Sequence, residues 1–291
     1  MDRVATVSVR RHRHVPGARV RGLAVGTDVG GTWIRVATDH APGVLTVRST
    51  REPAVLARLL RALWRRHGFT RGRVDTLVVA SRGVWTAGEC AALAHRLRGL
   101  ARRVRVVPDA QAAHRGALVD RPGVLLLAGT GSIVIGRDAR GRWARAGGLG
   151  PLLGDEGSAF SIGREWLRAA SRGGRWQAAL AAARAAEPVA RIAALAPAVL
   201  RRARRGDRRA RAIARRAQAA LAEHARDVVR QLRLRAPVDA SWAGSVLEDA
   251  WFRRGLVRAL ARAGVRARWR RPATTPAAAA LRMATRLRAG R

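Results

Sequence analysis

Short apolar runs and amphipathic stretches follow one another along the chain in an order that is used twice. Leu23, Ala24 and Val25 open an apolar run that passes Asp28, reaches Gly30 and Gly31, and returns through Ile34 and Val36. Glycine takes positive φ without steric cost, so this pattern predicts two short strands joined at a glycine turn. Residues 44–47 predict a third strand. From Pro53 onward, Val55, Leu56, Leu59, Leu60 and Leu63 fall at i, i+3, i+4 spacing, which predicts a helix with proline in its first turn. Residues 74–80 predict a buried strand, 88–100 a helix, 104–107 a strand ending at Pro108-Asp109, and 109–118 another helix. This β–β–β–α–β–α–β–α order predicts an α/β unit built on a mixed sheet.

The second half begins in the same way. Residues 124–127 are a buried run that leads into Gly129-Thr130-Gly131-Ser132 and returns through Ile133, Val134 and Ile135. Two glycine hairpins about a hundred residues apart predict two related lobes, 21–122 and 123–291, with Arg121-Pro122-Gly123 between them. A glycine-dense loop (147–158) enters a helix at 159–170. Residues 176–234 are helical in pattern, broken near Pro188, Pro197 and Gly206, with Asp207 as the N-cap of the last helix. A strand at 238–242 ends at Gly244-Ser245-Val246. A helix (251–263), a strand (265–269) and a closing helix (276–287) complete the chain, the closing helix packing back on the first lobe. Residues 1–20 read as a loose basic extension.

Composition narrows the partners. The 291 residues carry 58 basic against 19 acidic side chains, a net charge of +39, and every one of those basic residues is arginine. Clustered arginine suits a polyanion. Arginine spread evenly over all solvent-facing stretches fits compositional drift better, and the stretch with nine Arg at 201–216 has no interleaved aromatic residue to stack bases. Nucleic acid is therefore the weaker expectation. The single cysteine, Cys90, excludes an internal disulfide or a cysteine-only metal cage, and the seven histidines show no paired metal spacing. No window approaches the roughly 18 apolar residues of a membrane span. A reducing cytoplasm is the expected location.

The candidate chemistry sits at the hairpins and strand ends. A glycine turn leaves backbone N–H groups free to surround an anion; Thr32 adds a hydroxyl and Asp28 a carboxylate suited to a bridging Mg²⁺. From these residues alone a phosphate-holding hairpin and an ordinary hairpin stand about equal. Asp109, at a strand end opening a helix, reads either as a base or as a helix cap, and Asp155 as either a ligand or a cap for the helix at 159. No Gly-x-x-x-x-Gly-Lys occurs, which excludes a P-loop.

Five motifs in order carry a resemblance: Asp28-Val29-Gly30-Gly31-Thr32, Asp109-Ala110, Gly129-Thr130-Gly131-Ser132, Gly154-Asp155-Glu156-Gly157-Ser158 and Gly244-Ser245-Val246. Together they resemble the acetate and sugar kinase, Hsc70 and actin superfamily, and within it the BadF/BadG/BcrA/BcrD ATPase family with its N-acetylglucosamine kinases. The resemblance implies a two-lobed actin-like, ribonuclease H-like α/β fold closing over ATP and Mg²⁺. It implies that Gly30, Gly31 and Thr32 hold the γ-phosphate side, Gly129, Thr130, Gly131 and Ser132 the β-phosphate side, and Gly244 and Ser245 the nucleoside. Asp28 would position Mg²⁺ through water, Asp109 would be the general base, and Gly148, Gly150 and Asp155 would join Asp109 around a sugar or amino-sugar substrate. A homodimer is an open alternative to a monomer.

The sequence departs from the N-acetylglucosamine kinase pattern in three places. Ile133 stands where those members have Asn, Leu149 and Pro151 where they have Trp and His, and no Asn lies between Val44 and Ala54. Losing buried hydrogen bonds changes specificity strongly, so an altered acceptor is expected. A nucleotide-switched regulatory or activator ATPase with a protein partner is the alternative.

Overall fold

The computed structural model describes residues 22–30, 33–40, 43–48, 53–70 and 72–290. The basic extension expected at 1–20, together with Gly31 and Thr32, therefore lies outside the described residues. The first half comprises β1 (Leu23–Val29), β2 (Trp33–Thr38), β3 (Val44–Arg48), α1 (Pro53–Arg66), β4 (Val74–Ser81), α2 (Ala87–Arg96), β5 (Arg103–Pro108) and α3 (Asp109–Leu118). The second comprises β6 (Gly123–Ala128), β7 (Ser132–Arg137), β8 (Trp143–Gly147), α4 (Gly150–Leu153), α5 (Ala159–Arg172), α6 (Trp176–Ala183), α7 (Pro188–Ala193), α8 (Ala196–Arg204), α9 (Arg208–Leu232), β9 (Val238–Ala243), α10 (Ser245–Glu248), α11 (Ala250–Arg262) and β10 (Ala267–Trp269). The last helix is α12 (Pro276–Arg288).

Each half forms a five-stranded mixed sheet, ordered β3-β2-β1-β4-β5 in the first and β10-β9-β6-β7-β8 in the second. The hairpins are antiparallel and the remaining pairs parallel, so β6, β7, β8, β9 and β10 repeat the places of β1 to β5. Alternation sorts the side chains. Val25, Val29, Leu77 and Val79 pack with Leu56, Leu60 and Trp64 of α1 and Leu93 of α2. On the opposite face Ala24, Val78, Ala80 and Val107 pack with Ala112 of α3 and Ala280 and Ala284 of α12. In the second sheet Val124, Leu126 and Val134 meet α5, α8, α9 and α11, while Leu125 and Ile135 meet Ala110, Ala113 and Ala117 of α3. Alanine-rich α3 and α12 thus fill the layer against the inner faces, where short side chains let backbones approach. The closest approach is at Gly26: a Cβ there would overlap the backbone of Leu281 in α12.

Three local outcomes differ from the pattern reading. The helix expected at 88–100 is α2, which starts at a capping box between Thr86 and Glu89 and stops at Arg96, after which turns with Gly99 at positive φ take over. The edge strand β8 is half-exposed, without the apolar alternation that would betray it. The strand expected at 265–269 shortens to three residues.

Candidate active site

The parallel strands β1, β4 and β5 end in one row, with Val29 opposite Ser81 and Ser81 opposite Pro108. Asp28 and Asp109 are therefore carried to the same edge of the first sheet by elements whose inner residues leave no freedom of register. Asp28 is 6% exposed and belongs to the face that carries Ala24 and Gly26. Burial pushes its carboxyl up to about 6; the Arg35 guanidinium pulls it down and the Asp109 charge pushes it further up. Arg35 stands directly across the hairpin and donates to Asp28 Oδ2 at 3.4 Å.

Asp109 is the first residue of α3, after Pro108 in the N-cap position, and its Oδ1 accepts from Ala110 N–H at 2.7 Å. Burial raises its carboxyl above the ordinary range, against the pull of the Ala110 N–H and of the Arg82 guanidinium. Arg82 directly follows β4 in the same row, and its N–H donates to Val29 O at 3.3 Å. Asp28 and Asp109 thus influence one another electrostatically, each with one arginine nearby.

The second sheet supplies the anion-shaped turn. Ala159 N–H, opening α5, donates to Gly129 O at 2.8 Å, and Phe160 N–H to Thr130 O at 3.2 Å. With both carbonyls drawn toward α5, the Thr130 and Gly131 N–H groups have no acceptor among the described residues. This is the arrangement that binds phosphate oxygens. Gly244, φ +94°, follows β9 and packs so tightly on Ala128 and Gly129 that no side chain fits between them. Ser245 then opens α10 beside the same turn. The two halves of the site are tied together by α3: Ala110, next to Asp109, shares an apolar cluster with Leu125 and Leu127 of β6.

Asp155 lies over the turn. Its Oδ1 accepts from Ser132 N–H at 3.1 Å, and Ser132 Oγ donates to Glu156 O at 2.6 Å. Burial raises the Asp155 carboxyl, opposed by the Ser132 N–H. The cap of α5 is Ser158, whose Oγ accepts from Ser161 N–H at 3.0 Å, so the cap reading of Asp155 is replaced by a bond to the glycine turn. Asp155 itself has φ +62°, a strained setting held by these bonds. Gly147, Gly148 and Gly150 all have positive φ, and Ile133 packs against Gly148 where a Cβ would stand. Leu149, Leu152 and Leu153 project into solvent beside them.

Arg35, Arg82 and His224 escape a reading by motif. The antiparallel pairing of β1 with β2 sets Asp28 opposite Arg35, so register arithmetic alone reaches the first. His224 on α9 stands 3.4 Å from Glu156 and backs Gly147, a contact between segments far apart in the chain with no local signal. Among the described residues no group of three or more His, Cys, Asp or Glu is placed to hold a metal.

Among proteins of known name, 75 residues are 44% identical to an N-acetylmuramic acid/N-acetylglucosamine kinase of Clostridium acetobutylicum, and 46 residues are 50% identical to an N-acetyl-D-glucosamine kinase of Dictyostelium discoideum. These stretches are 26% and 16% of this chain, and they span only 24% and 14% of the relatives' lengths. Among solved structures, a proposed N-acetylglucosamine kinase of Chromobacterium violaceum superposes with TM-score 0.69 at 23% identity, covering 91% of this chain and 99% of that one. A ROK family glucokinase from Streptomyces griseus, solved with glucose and AMPPNP, gives TM-score 0.60 at 17% identity over 91% of this chain and 100% of its own. At these identities the likeness is one of fold, the two-lobed actin-like α/β architecture. The family model that matches spans residues 23–281, nearly all of the two sheets, and the chain belongs to the BadF/BadG/BcrA/BcrD ATPase family.

Proposed function

We propose that this protein is an ATP-dependent kinase that phosphorylates a hydroxyl of a sugar or amino sugar. The observation that carries this reading is the pairing of an uncommitted amide turn at Thr130-Gly131 with a half-buried carboxylate, Asp109, at the end of the first sheet. Phosphoryl transfer asks a protein mainly for positioning and charge stabilisation, with one carboxylate to take the nucleophile's proton. In this reading residues 21–122 and 123–291 are two lobes that close over the nucleotide. The amides of the Gly129–Ser132 turn hold phosphate oxygens, Gly244 and Ser245 lie against the nucleoside, and Asp109 accepts the acceptor hydroxyl's proton. Asp155 and the Gly148–Gly150 loop border the acceptor. The names of the relatives, N-acetylglucosamine and N-acetylmuramic acid kinases, support a sugar as acceptor.

Asp28 fits Mg²⁺: a buried carboxylate burdened by a second one gains from a nearby cation, and Mg²⁺ needs only one or two carboxylates beside phosphates and waters. When bound, the ion would neutralise phosphate charge. Arg35 holds the Asp28 carboxylate in place.

A coupled ADP-release screen over hexoses and amino sugars tests the proposal. Asp109→Asn should lower kcat by about 10² or more while leaving nucleotide affinity within about twofold. Slow hydrolysis that no sugar stimulates would favour a nucleotide-switched regulator instead.

A further inference from the structure

A cavity of about 340 Å³ opens at the opposite end of the second sheet from the glycine turn, lined in part by Val119, Arg121, Trp269, Arg270, Arg271 and Ala273. Its level is fixed by register: Trp269 pairs with Ala240, and Ala240 with Val124, the second residue of β6. Gly129 lies five residues further along, about 16 Å at the usual rise per strand residue. The walls are the two connections that join the sheets. Residues 119–122 lead from α3 into β6, and residues 270–275 lead from β10 into α12.

The charge around this cavity is unbalanced. The nearby carboxylates are already engaged twice over: Asp120 by Arg115 and Arg286, and Asp239 by Arg268 at 2.6 Å and Arg270 at 2.7 Å. Arg121 and Arg271 have no carboxylate partner among the described residues. The carbonyls at the end of α3, which would repel an anion, are also taken. Thr274 N–H donates to Gly116 O at 3.1 Å, Ala273 N–H to Ala117 O at 3.2 Å, and Arg121 N–H to Leu118 O at 3.0 Å. Trp269 lends the cavity wall its ring, while its indole N–H is buried away from the opening. The lining therefore offers two arginines without a carboxylate partner beside the apolar surface of Val119 and Ala273. Guanidinium forks match phosphate oxygens in pairs, and the volume suits a small molecule.

We propose that this cavity is an anion site, outside the glycine-turn cleft, that takes a phosphate monoester. Free inorganic phosphate and a phosphorylated sugar share the recognised group. Because the site is formed by both connections between the sheets, its ligand bridges the two segments on which any relative movement of the halves turns.

The test is calorimetric titration of the full chain, saturated with Mg²⁺ and a non-hydrolysable ATP analogue so that the cleft's own phosphate positions are filled. Inorganic phosphate and a hexose 6-phosphate are titrated separately at constant ionic strength, and turnover is not involved, so the result does not depend on the proposed kinase activity. Saturable binding is expected, weakened at least tenfold, or about 1.4 kcal/mol, in Arg121→Gln/Arg271→Gln. The exposed pair Arg215→Gln/Arg216→Gln on α9 should bind as the unaltered protein does. Tighter binding of the hexose phosphate would assign the apolar wall to the sugar, and equal binding would assign the site to free phosphate. Should the double variant not fold, Arg271→Gln alone, at an exposed side chain, should still weaken binding about three- to tenfold. No saturable binding up to about 10 mM, or equal losses in both arginine pairs, would overturn the proposal.

Discussion

Asp28 illustrates how a site's chemistry strains the fold that carries it. Its folded carboxyl titrates at about 6 against an ordinary 3.8, so between these values the folded chain holds a proton that the unfolded chain has released. Stability therefore falls as pH rises through this window, by up to about 3 kcal/mol for a shift of this size. Asp28→Asn removes the penalty. In nucleotide-free protein it should raise Tm at pH 7.5, lose that advantage below about pH 4, and weaken Mg²⁺-ATP binding, as calorimetry at several pH values would read. A Tm lowered at every pH would refute this account. Catalysis that needs the ionised carboxylate should decline as pH falls through about 6. Asp28 and Asp109 could be singled out in the sequence because each sits in a short motif at a strand end, and Asp155 because its motif lies in a glycine-dense loop just before a helix. The guanidinium of Arg82 near Asp109 was not, because only the folded row of strand ends brings the two together. The bond from Ser132 N–H to Asp155 likewise needs a loop that doubles back from 23 residues away.

Among the elements, α12 has an exacting fit. Gly26 lies in the middle of β1 against the backbone of Leu281, where even one methyl group has no space. Gly26→Ala should cost about 2–4 kcal/mol in chemical denaturation, more than its mild chemistry suggests, since neither backbone yields easily. Gly244→Ala combines a positive φ with the same kind of clash against Ala128 and Gly129, and should weaken nucleotide binding as well as stability. The buried strands and amphipathic helices were readable from their periodicity. The edge strand β8 was not, since its half-buried alanines and glycine give no strong apolar alternation, and its pairing with β7 defines it.

At the scale of the molecule the arginine excess acts on everything at once. A net charge of +39 stores self-repulsion that salt screens, so Tm should rise by several degrees between about 0.05 and 0.5 M NaCl in nucleotide-free protein. A Tm that stays flat or falls would mean that local ion pairs outweigh the general repulsion. The same charge leaves the fold unaffected, because the arginines lie on outer faces while alanine, valine and leucine fill both cores. That division is why the architecture could be read through so unusual a composition.

The dependence of the first sheet on α12 also constrains biosynthesis. The inner face of β1, β4 and β5 waits for a helix encoded about 170 residues after β5 ends. At ribosomal speeds of roughly 5–20 residues per second, the part of that face not covered by α3 stays open for on the order of ten to thirty seconds. The nascent first half should therefore bind ribosome-associated chaperones until α12 emerges. Chains arrested just before Pro276 should be digested by protease in the first half, while chains released after Arg288 should resist.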